Sequence, residues 1–378
     1  MNFLNLGDIA DFQNGYAFSS KLYVAESNES KEVLRMGYIK RGGGFKEDDR
    51  KVFAPKESKG YVKKYMLEQD DIVIAMTDMK NDMKILGCCA LVKHNSRFLL
   101  NQRVGRVRVR DTNLVNPKYL YYFLNSPDQI RDIRSRANSG VQVNLSTQSI
   151  KESLIKIYPI EYQNKIVEVL HNLDKKIELN QQMNENLEEI AKTLFKSWFI
   201  DFDPVRAKAE GRPTGLSKEI SDLFPDSFED SELGEMPSGW KVGNLGNLCV
   251  PKRGKVITKA KVEPGNFPVV AGGIKPPYYH SESNAESPIV TISASGTAGF
   301  VNLYYQDIWA SDCSYINKEI TDNVFFIYSF LKINQQRIYD LRHGAVQQHV
   351  YPKDLIELPI FLSSISNAIF FFRFIFSH

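Results

Sequence analysis

The sequence predicts an α+β chain in which two globular α/β domains are separated by one long coiled-coil helix. Three observations lead there: the chain repeats itself once, an unbroken apolar heptad lies between the copies, and the balance of charge reverses at the same boundaries. With 378 residues, 43% of them hydrophobic, there is enough chain for two domains that each bury a core. The division reads as 1–160 for the first domain, 161–203 for the helix, 204–239 for a linker, 240–360 for the second domain and 361–378 for a Phe-rich tail.

The repeat shows at both ends of each domain. Leu6-Gly7-Asp8-Ile9 with Asn14-Gly15 matches Leu245-Gly246-Asn247-Leu248 with Arg253-Gly254. Ser139-Gly140-Val141-Gln142-Val143-Asn144 matches His343-Gly344-Ala345-Val346-Gln347-Gln348, and each copy runs into an apolar segment, Ile155 to Pro159 and Leu355 to Pro359. Such short matches arise by chance one at a time; two in the same order are harder to dismiss.

From Glu161 to Asp203 there is neither Pro nor Gly. Ile166, Leu170, Leu173, Ile177, Asn180, Asn184, Leu187, Ala191, Leu194 and Trp198 alternate spacings of four and three, which is the seam of a coiled coil and marks a helix seeking a partner helix. At 1.5 Å per residue, roughly 35–40 residues span on the order of 55 Å. Asn180 and Asn184 sit mid-seam, where a polar residue weakens a coiled coil but fixes its register. A long helix lying on a domain surface is the plainer alternative. Pro204 is expected to stop this helix, and the Gly, Pro, Ser and acidic residues up to Gly239 read as a surface linker.

The net charge of +3 conceals segments of opposite character. Residues 1–160 hold 26 Lys and Arg against 18 Asp and Glu, residues 161–239 hold 9 against 17, and residues 240–378 hold 13 against 10. Basic modules suit a polyanion such as DNA, and an acidic connector suits protein partners. Cys88, Cys89, Cys249 and Cys313 form no metal-ligand or disulfide spacing. Met1 to Phe12 carries no basic stretch followed by an apolar run. A cytoplasmic protein is the resulting expectation.

In the first domain, Val104 to Arg110 alternates with period two, so a strand there would bury valines and present Arg106, Arg108 and Arg110 on its other face. DNA phosphate over these arginines and an outer face with acidic neighbours are both open. Arg41 before three glycines, Lys80 and Lys84, Arg103 and Gln142 fall at expected loop or strand-end positions, where base-reading side chains usually sit. The second domain offers Lys252 and Arg253, Lys275, Ser295 and Thr297 in small-residue loops, then Arg342 and Gln347. Glycine lets a backbone approach phosphate closely and Gln can bind adenine bidentately, although ordinary turns explain each position equally well.

Catalytic patterns are weak. Asp78-Met79-Lys80, with Asp70 and Asp71 upstream, loosely follows a metal-dependent nuclease layout. Lys275-Pro276-Pro277-Tyr278 has the shape of an amino-methyltransferase motif, but its leading lysine has no acceptor for the target amine. No phosphate-binding GxxxxGK[ST] loop, dinucleotide fingerprint or Ser/His/Asp set is present.

One stretch is specific. Leu194-Phe195-Lys196-Ser197-Trp198-Phe199-Ile200-Asp201-Phe202-Asp203-Pro204-Val205 continues through Ala207 to Gly211 and Leu223 to Phe228, then to Ser231-Glu232-Leu233-Gly234 and Pro237-Ser238-Gly239-Trp240. It resembles the central conserved region of the specificity (S) subunits of type I restriction-modification enzymes, and with the Leu-Gly-Asp-Ile start the resemblance reaches about Pro359. That resemblance implies a non-catalytic subunit with two target recognition domains, each reading half of a split double-stranded DNA site. The helix would set their separation and dock methyltransferase (M) subunits and, through them, restriction/translocase (R) subunits. S-adenosylmethionine, ATP and magnesium would belong to those partners, with no cofactor or metal on this chain. A stand-alone metal-dependent DNA nuclease and a protein-binding scaffold remain the alternatives. The family pattern also calls for a second long helix after the second domain, whereas Ile369 to Phe376 has no heptad and is too short to span a membrane. The expectation is a shifted or truncated end, with either self-association or pairing with another subunit's helix through the unpaired helix, or an inactive gene product.

Overall fold

The computed structural model describes residues 2–48, 50–59, 63–79, 83–138, 140, 142–344 and 346–362. They form two compact units, Met1–Leu179 and Asn180–His378. The division falls inside a single helix.

The first unit opens with β1 (Asn2–Asn5), α1 (Leu6–Ile9) and β2 (Ala10–Asn14). It continues through β3 (Ser30–Leu34), β4 (Phe53–Pro55), β5 (Ile72–Ala75), β6 (Thr77–Met79), β7 (Cys89–Leu91), β8 (Phe98–Leu100) and β9 (Val104–Val109). Helices α2 (Pro117–Leu124) and α3 (Pro127–Ser135) follow, then β10 (Gln142–Asn144), α4 (Thr147–Lys151) and β11 (Leu154–Ile157). The starts of α2 and α3 are written in the sequence. Asn116 and Ser126 accept backbone N–H groups of the first turn, and proline follows each of them where no amide is needed.

An antiparallel sheet of order β2-β9-β5-β7 stands beside a three-stranded sheet β4-β3-β8, in which β3 and β8 run parallel. Strand β5 is apolar throughout because both its faces are covered. Ile72 and Ile74 enter one cluster with Leu6, Val107, Leu120 and Ile155, while Val73 and Ala75 enter another with Leu34, Phe98 and Val104. Strand β1 pairs antiparallel with β11, so the two ends of the domain meet.

Helix α5 runs from Ile160 to Phe199, 40 residues, about 60 Å at 1.5 Å per residue. It ends four residues before the expected Asp203. Phe202 turns into the left-handed region at φ 57°, and Pro204 sits in the first turn of the next helix, α6 (Asp203–Ala209), instead of stopping α5. The expected linker 204–239 is folded. Beyond α6 it holds α7 (Lys218–Ser221) and the hairpin β12 (Phe228–Ser231) and β13 (Gly234–Pro237). Val205, Ile220 and Phe224 lie in the core of the second unit, where Phe224 meets Trp198 edge-on at 5.6 Å. Composition marked a loop here because the few large apolar residues have no period; they work by locking onto the end of α5.

The second unit then repeats the order of the first, except that the β6–β10 ladder has no counterpart among the described residues. It runs β14 (Lys241–Asn244), a single turn Leu245–Asn247, β15 (Lys252–Arg253), β16 (Pro264–Val270), β17 (Tyr278–His280) and β18 (Ile289–Ser293). After these come β19 (Val301–Tyr304), β20 (Trp309–Ala310), β21 (Cys313–Ile316), α8 (Val324–Ile333), α9 (Gln335–Asp340), α10 (Pro352–Leu355) and β22 (Pro359–Leu362). Its sheets are β15-β21-β18-β19 and β17-β16-β20, the latter again with one parallel pair, and β14 with β22 closes the domain ends. Phe361 and Leu362, placed in the tail by the sequence, therefore belong to the last strand, in register with Val242 and Lys241. Residues 363–378 lie outside the described residues, so the Phe-rich tail is not placed.

The seam of α5 divides. Leu173, Ile177, Asn180, Asn184 and Leu187 are exposed, Ile166 is barely so at 36%, and Leu170 and Ala191 are intermediate. Leu194 packs on the second unit's core, and Trp198 lies within it at 4% exposure. These last two seam positions face the core of the second unit, because the heptad continues into a segment whose own unit folds around it. Among the described residues no helix is long and apolar enough to cross a membrane.

Candidate nucleic-acid interface

Each unit carries a polar loop cluster at the same end of its four-stranded sheet, built by the same backbone hydrogen bonds. In the first unit, Gly15 N donates to Val104 O, Met76 N to Arg103 O, Leu145 N to Met76 O and Asn138 N to Asn144 O, at 2.8–3.2 Å. In the second, Gly254 N donates to Cys313 O, Ala294 N to Asp312 O, Val350 N to Ala294 O and His343 N to His349 O, at 2.9–3.1 Å. These bonds set Asn14 equivalent to Arg253, Arg103 to Asp312, Thr77 to Ser295 and Gln142 to Gln347. The sequence match paired the glycines and was one residue out of step, so the two amide side chains coincide only in the structure.

The glycines after Asn14 and Arg253 are required by close approach. A Cβ at Gly15 would stand 1.9 Å from Asn101 O, and one at Gly254 would stand 2.4 Å from Ser311 O. Both obstacles are backbone and cannot swing aside. Gly254→Ala is therefore expected to destabilise the second unit by about 1–3 kcal/mol, read as a lower urea midpoint. An unchanged midpoint would contradict this packing.

The second cluster is bound together by side chains. Thr297 donates from both its amide and its hydroxyl to Gly272 O, at 2.7 and 3.1 Å, tying the loop of Lys275 to the loop of Ser295. Ser295 Oγ donates to Asp312, and Arg253 Nη2 donates to the other oxygen of Asp312 at 2.6 Å. Lys275 and Gln347 are exposed, and Lys252 is exposed beside Glu319 at 3.4 Å. Arg342 is committed to the fold: its Nε donates to Ala298 O at 2.9 Å and its guanidinium lies 3.9 Å from the Tyr339 ring centroid. In the first cluster Arg103 and Gln142 are exposed and Asn14 Nδ2 donates to Thr147 Oγ1 at 3.0 Å.

The family model described as type I restriction modification DNA specificity domain matches residues 1–189 and 237–367, which takes in both units. The chain belongs to this family. Among the specificity subunits to which it is similar, that of the type I restriction enzyme HindI of Haemophilus influenzae is 40% identical over 115 residues, 30% of this chain and 25% of that protein. The putative MjaX specificity subunit of Methanocaldococcus jannaschii is 24% identical over 88% of this chain and 74% of its own length. The MjaIX subunit of the same organism is matched over 28% of its length, so the aligned stretch covers about a quarter of HindI and of MjaIX. The crystal structure of the S subunit of a type I restriction-modification system from M. genitalium shares the fold, with a TM-score of 0.55 and 16% identity over 100% of this chain and 88% of that one.

Not every arginine expected at the interface of this specificity-domain chain is there. Arg106 is 8% exposed, and it gives one donor to Lys64 O at 3.2 Å. Burial, with Arg108 beside it, pulls its guanidinium below the ordinary range. The segment carrying Lys64 lies over this end of β9, so Arg106 meets protein there while Arg108 and Arg110 on the same face stay partly exposed. Arg108 forks onto the buried Asp71 at 2.6 and 2.7 Å, and Arg110 pairs with Asp11 at 2.8 Å. Arg108 and Arg110 thus have acidic neighbours, while Arg106 lies buried and not on a solvated face. Arg41 is exposed on a turn held by Cys89 O, with Gly43 so close to Asn125 that a Cβ would stand 2.4 Å from its Oδ1. Lys84 is exposed on the loop that follows β6, and Lys80 lies outside the described residues.

The nuclease layout dissolves. Asp78 accepts the amides of Met79, Ile85 and Leu86 at 2.8–3.3 Å and so pins a loop, while Asp71 is the fork partner of Arg108. Sequence reasoning missed Asn14, Asp312 and Tyr351, whose ring centroid lies 5.7 Å from the Arg253 guanidinium carbon, as candidate site residues. The repeat match at Asn14-Gly15 and Arg253-Gly254 was the signal that held the first of them.

Proposed function

We propose that the chain is the DNA sequence-recognition subunit of a type I restriction-modification complex, each unit reading one half of a bipartite duplex site. The observation that carries this is the duplication: two units share one backbone scaffold, down to the hydrogen bonds of their loop clusters, but present different polar side chains from it. A kept scaffold with changed side chains is what two different half-sites require. The chain would act without chemistry of its own in the cytoplasm, docking methyltransferase subunits and through them restriction/translocase subunits, which would bring S-adenosylmethionine, ATP and magnesium. The exposed run of α5 from Asn172 to Ile190 offers those partners, or a second copy of the chain, an apolar stripe that includes Leu173, Ile177 and Leu187.

The test is duplex binding by the full chain with its methyltransferase partner. Affinity is expected to fall steeply as salt rises, as phosphate contacts demand, while preference for a split sequence persists. Salt-independent binding, or none, would leave only the protein scaffold. Replacing Arg103 and Lys84 by alanine is expected to flatten the slope of log affinity against log salt by about two; an unaltered slope would remove both residues from the phosphate contacts.

A further inference from the structure

We infer that Arg253 reads a guanine in the half-site assigned to the second unit, with Asp312, Ser295 and Tyr351 as its positioning residues. This rests on the duplex-reading function proposed above and goes further by assigning one base to one side chain.

Arginine satisfies guanine by offering two N–H donors to O6 and N7, and this discriminates only if the planar fork is held still before the base arrives. Three features hold it. Asp312 Oδ1 takes one Nη2 donor of Arg253 at 2.6 Å, and that carboxylate is itself fixed from its other oxygen by Ser295 Oγ. The guanidinium carbon lies 5.7 Å from the ring centroid of Tyr351, on which His349 stacks at 5.7 Å with ring planes 8° apart. Gly254, in van der Waals conflict with any larger residue, fixes the backbone immediately after the arginine. Asp312 engages a single donor, so the remaining edge of the fork is free to face a ligand, and the Arg253 side chain is 36% exposed. The rival explanation, a surface ion pair, does not call for a carboxylate that is itself braced or for a stacked ring pair.

The first unit sharpens the assignment. At the position of Arg253 it has Asn14, and at the position of Asp312 it has Arg103, so the arrangement is not a requirement of the scaffold. The guanine preference is therefore expected in one half-site only.

The experiment is sequencing of methylated sites in cells carrying the full chain with its methyltransferase subunit, for the wild type, Arg253→Lys and Arg253→Ala. Lysine keeps the charge and removes the fork. The expected result is that both variants relax one G·C position in one half-site, with discrimination there falling on the order of tenfold to a hundredfold, while the other half and the spacing stay fixed. An unchanged motif, relaxation at an A·T pair, or loss of methylation by both variants overturns the inference, because each gives Arg253 another role. A wild type that yields no bipartite motif defeats the proposed function itself, which keeps the two failures apart.

Discussion

Trp198→Ala is expected to lower the unfolding free energy of the second unit by about 3–5 kcal/mol, the cost of emptying a large aromatic site in a packed core. Trp198 is 4% exposed and meets Phe224 edge-on at 5.6 Å, in the cluster that also contains Phe195, Phe199, Val205 and Trp240. A residue of an open coiled-coil seam would behave otherwise. Leu187, on the same seam but 56% exposed, should tolerate alanine within about 0.5 kcal/mol in the isolated chain. Urea unfolding of the two variants distinguishes core from seam: equal, small shifts would show that the end of α5 is not built into the domain.

The second large effect belongs to Arg108. Asp71 is 1% exposed and receives both forks of Arg108, at 2.6 and 2.7 Å. Arg108→Ala leaves a buried carboxylate without its counter-charge, held, among the described residues, only by the Glu68 amide at 2.8 Å, and about 3–5 kcal/mol of stability in the first unit is expected to go with it. Arg110→Ala is the control. Its partner Asp11 is exposed, so removing that pair should cost under about 1 kcal/mol. Were the two substitutions to unfold the chain equally easily, or were Arg108→Ala to spare stability and abolish DNA binding alone, the column of arginines would be a phosphate contact after all.

Much of this fold was legible in the sequence because its largest features are periodic. The heptad from Ile166 onward placed α5, and the paired Leu-Gly openings placed the duplicated units. Where function of a residue depends on what faces it, sequence reasoning stopped. Arg106, Arg108 and Arg110 alternate as a surface strand should, yet what meets each of them, the Lys64 carbonyl, Asp71 and Asp11, comes from far along the chain. The segment after Pro204 was misread for the opposite reason: it has no period, but Val205, Ile220 and Phe224 need none to fill gaps around the aromatic end of α5. Of the candidate site, the exposed loop residues Arg103, Gln142, Lys275 and Gln347 were found from composition and repeat. Their pairing across the two units was not, because equivalence is defined by backbone hydrogen bonds, and the glycine-to-glycine match is displaced by one residue from it.

Independent reading of two half-sites by the two units is tested most directly by methylated-site sequencing of Gln142→Ala, a variant confined to the exposed loop cluster of the first unit. The expected result is a motif altered in one half, with the second half and the spacing between them as in the wild type. A change in both halves, or a wild-type motif that is continuous instead of split, would contradict it.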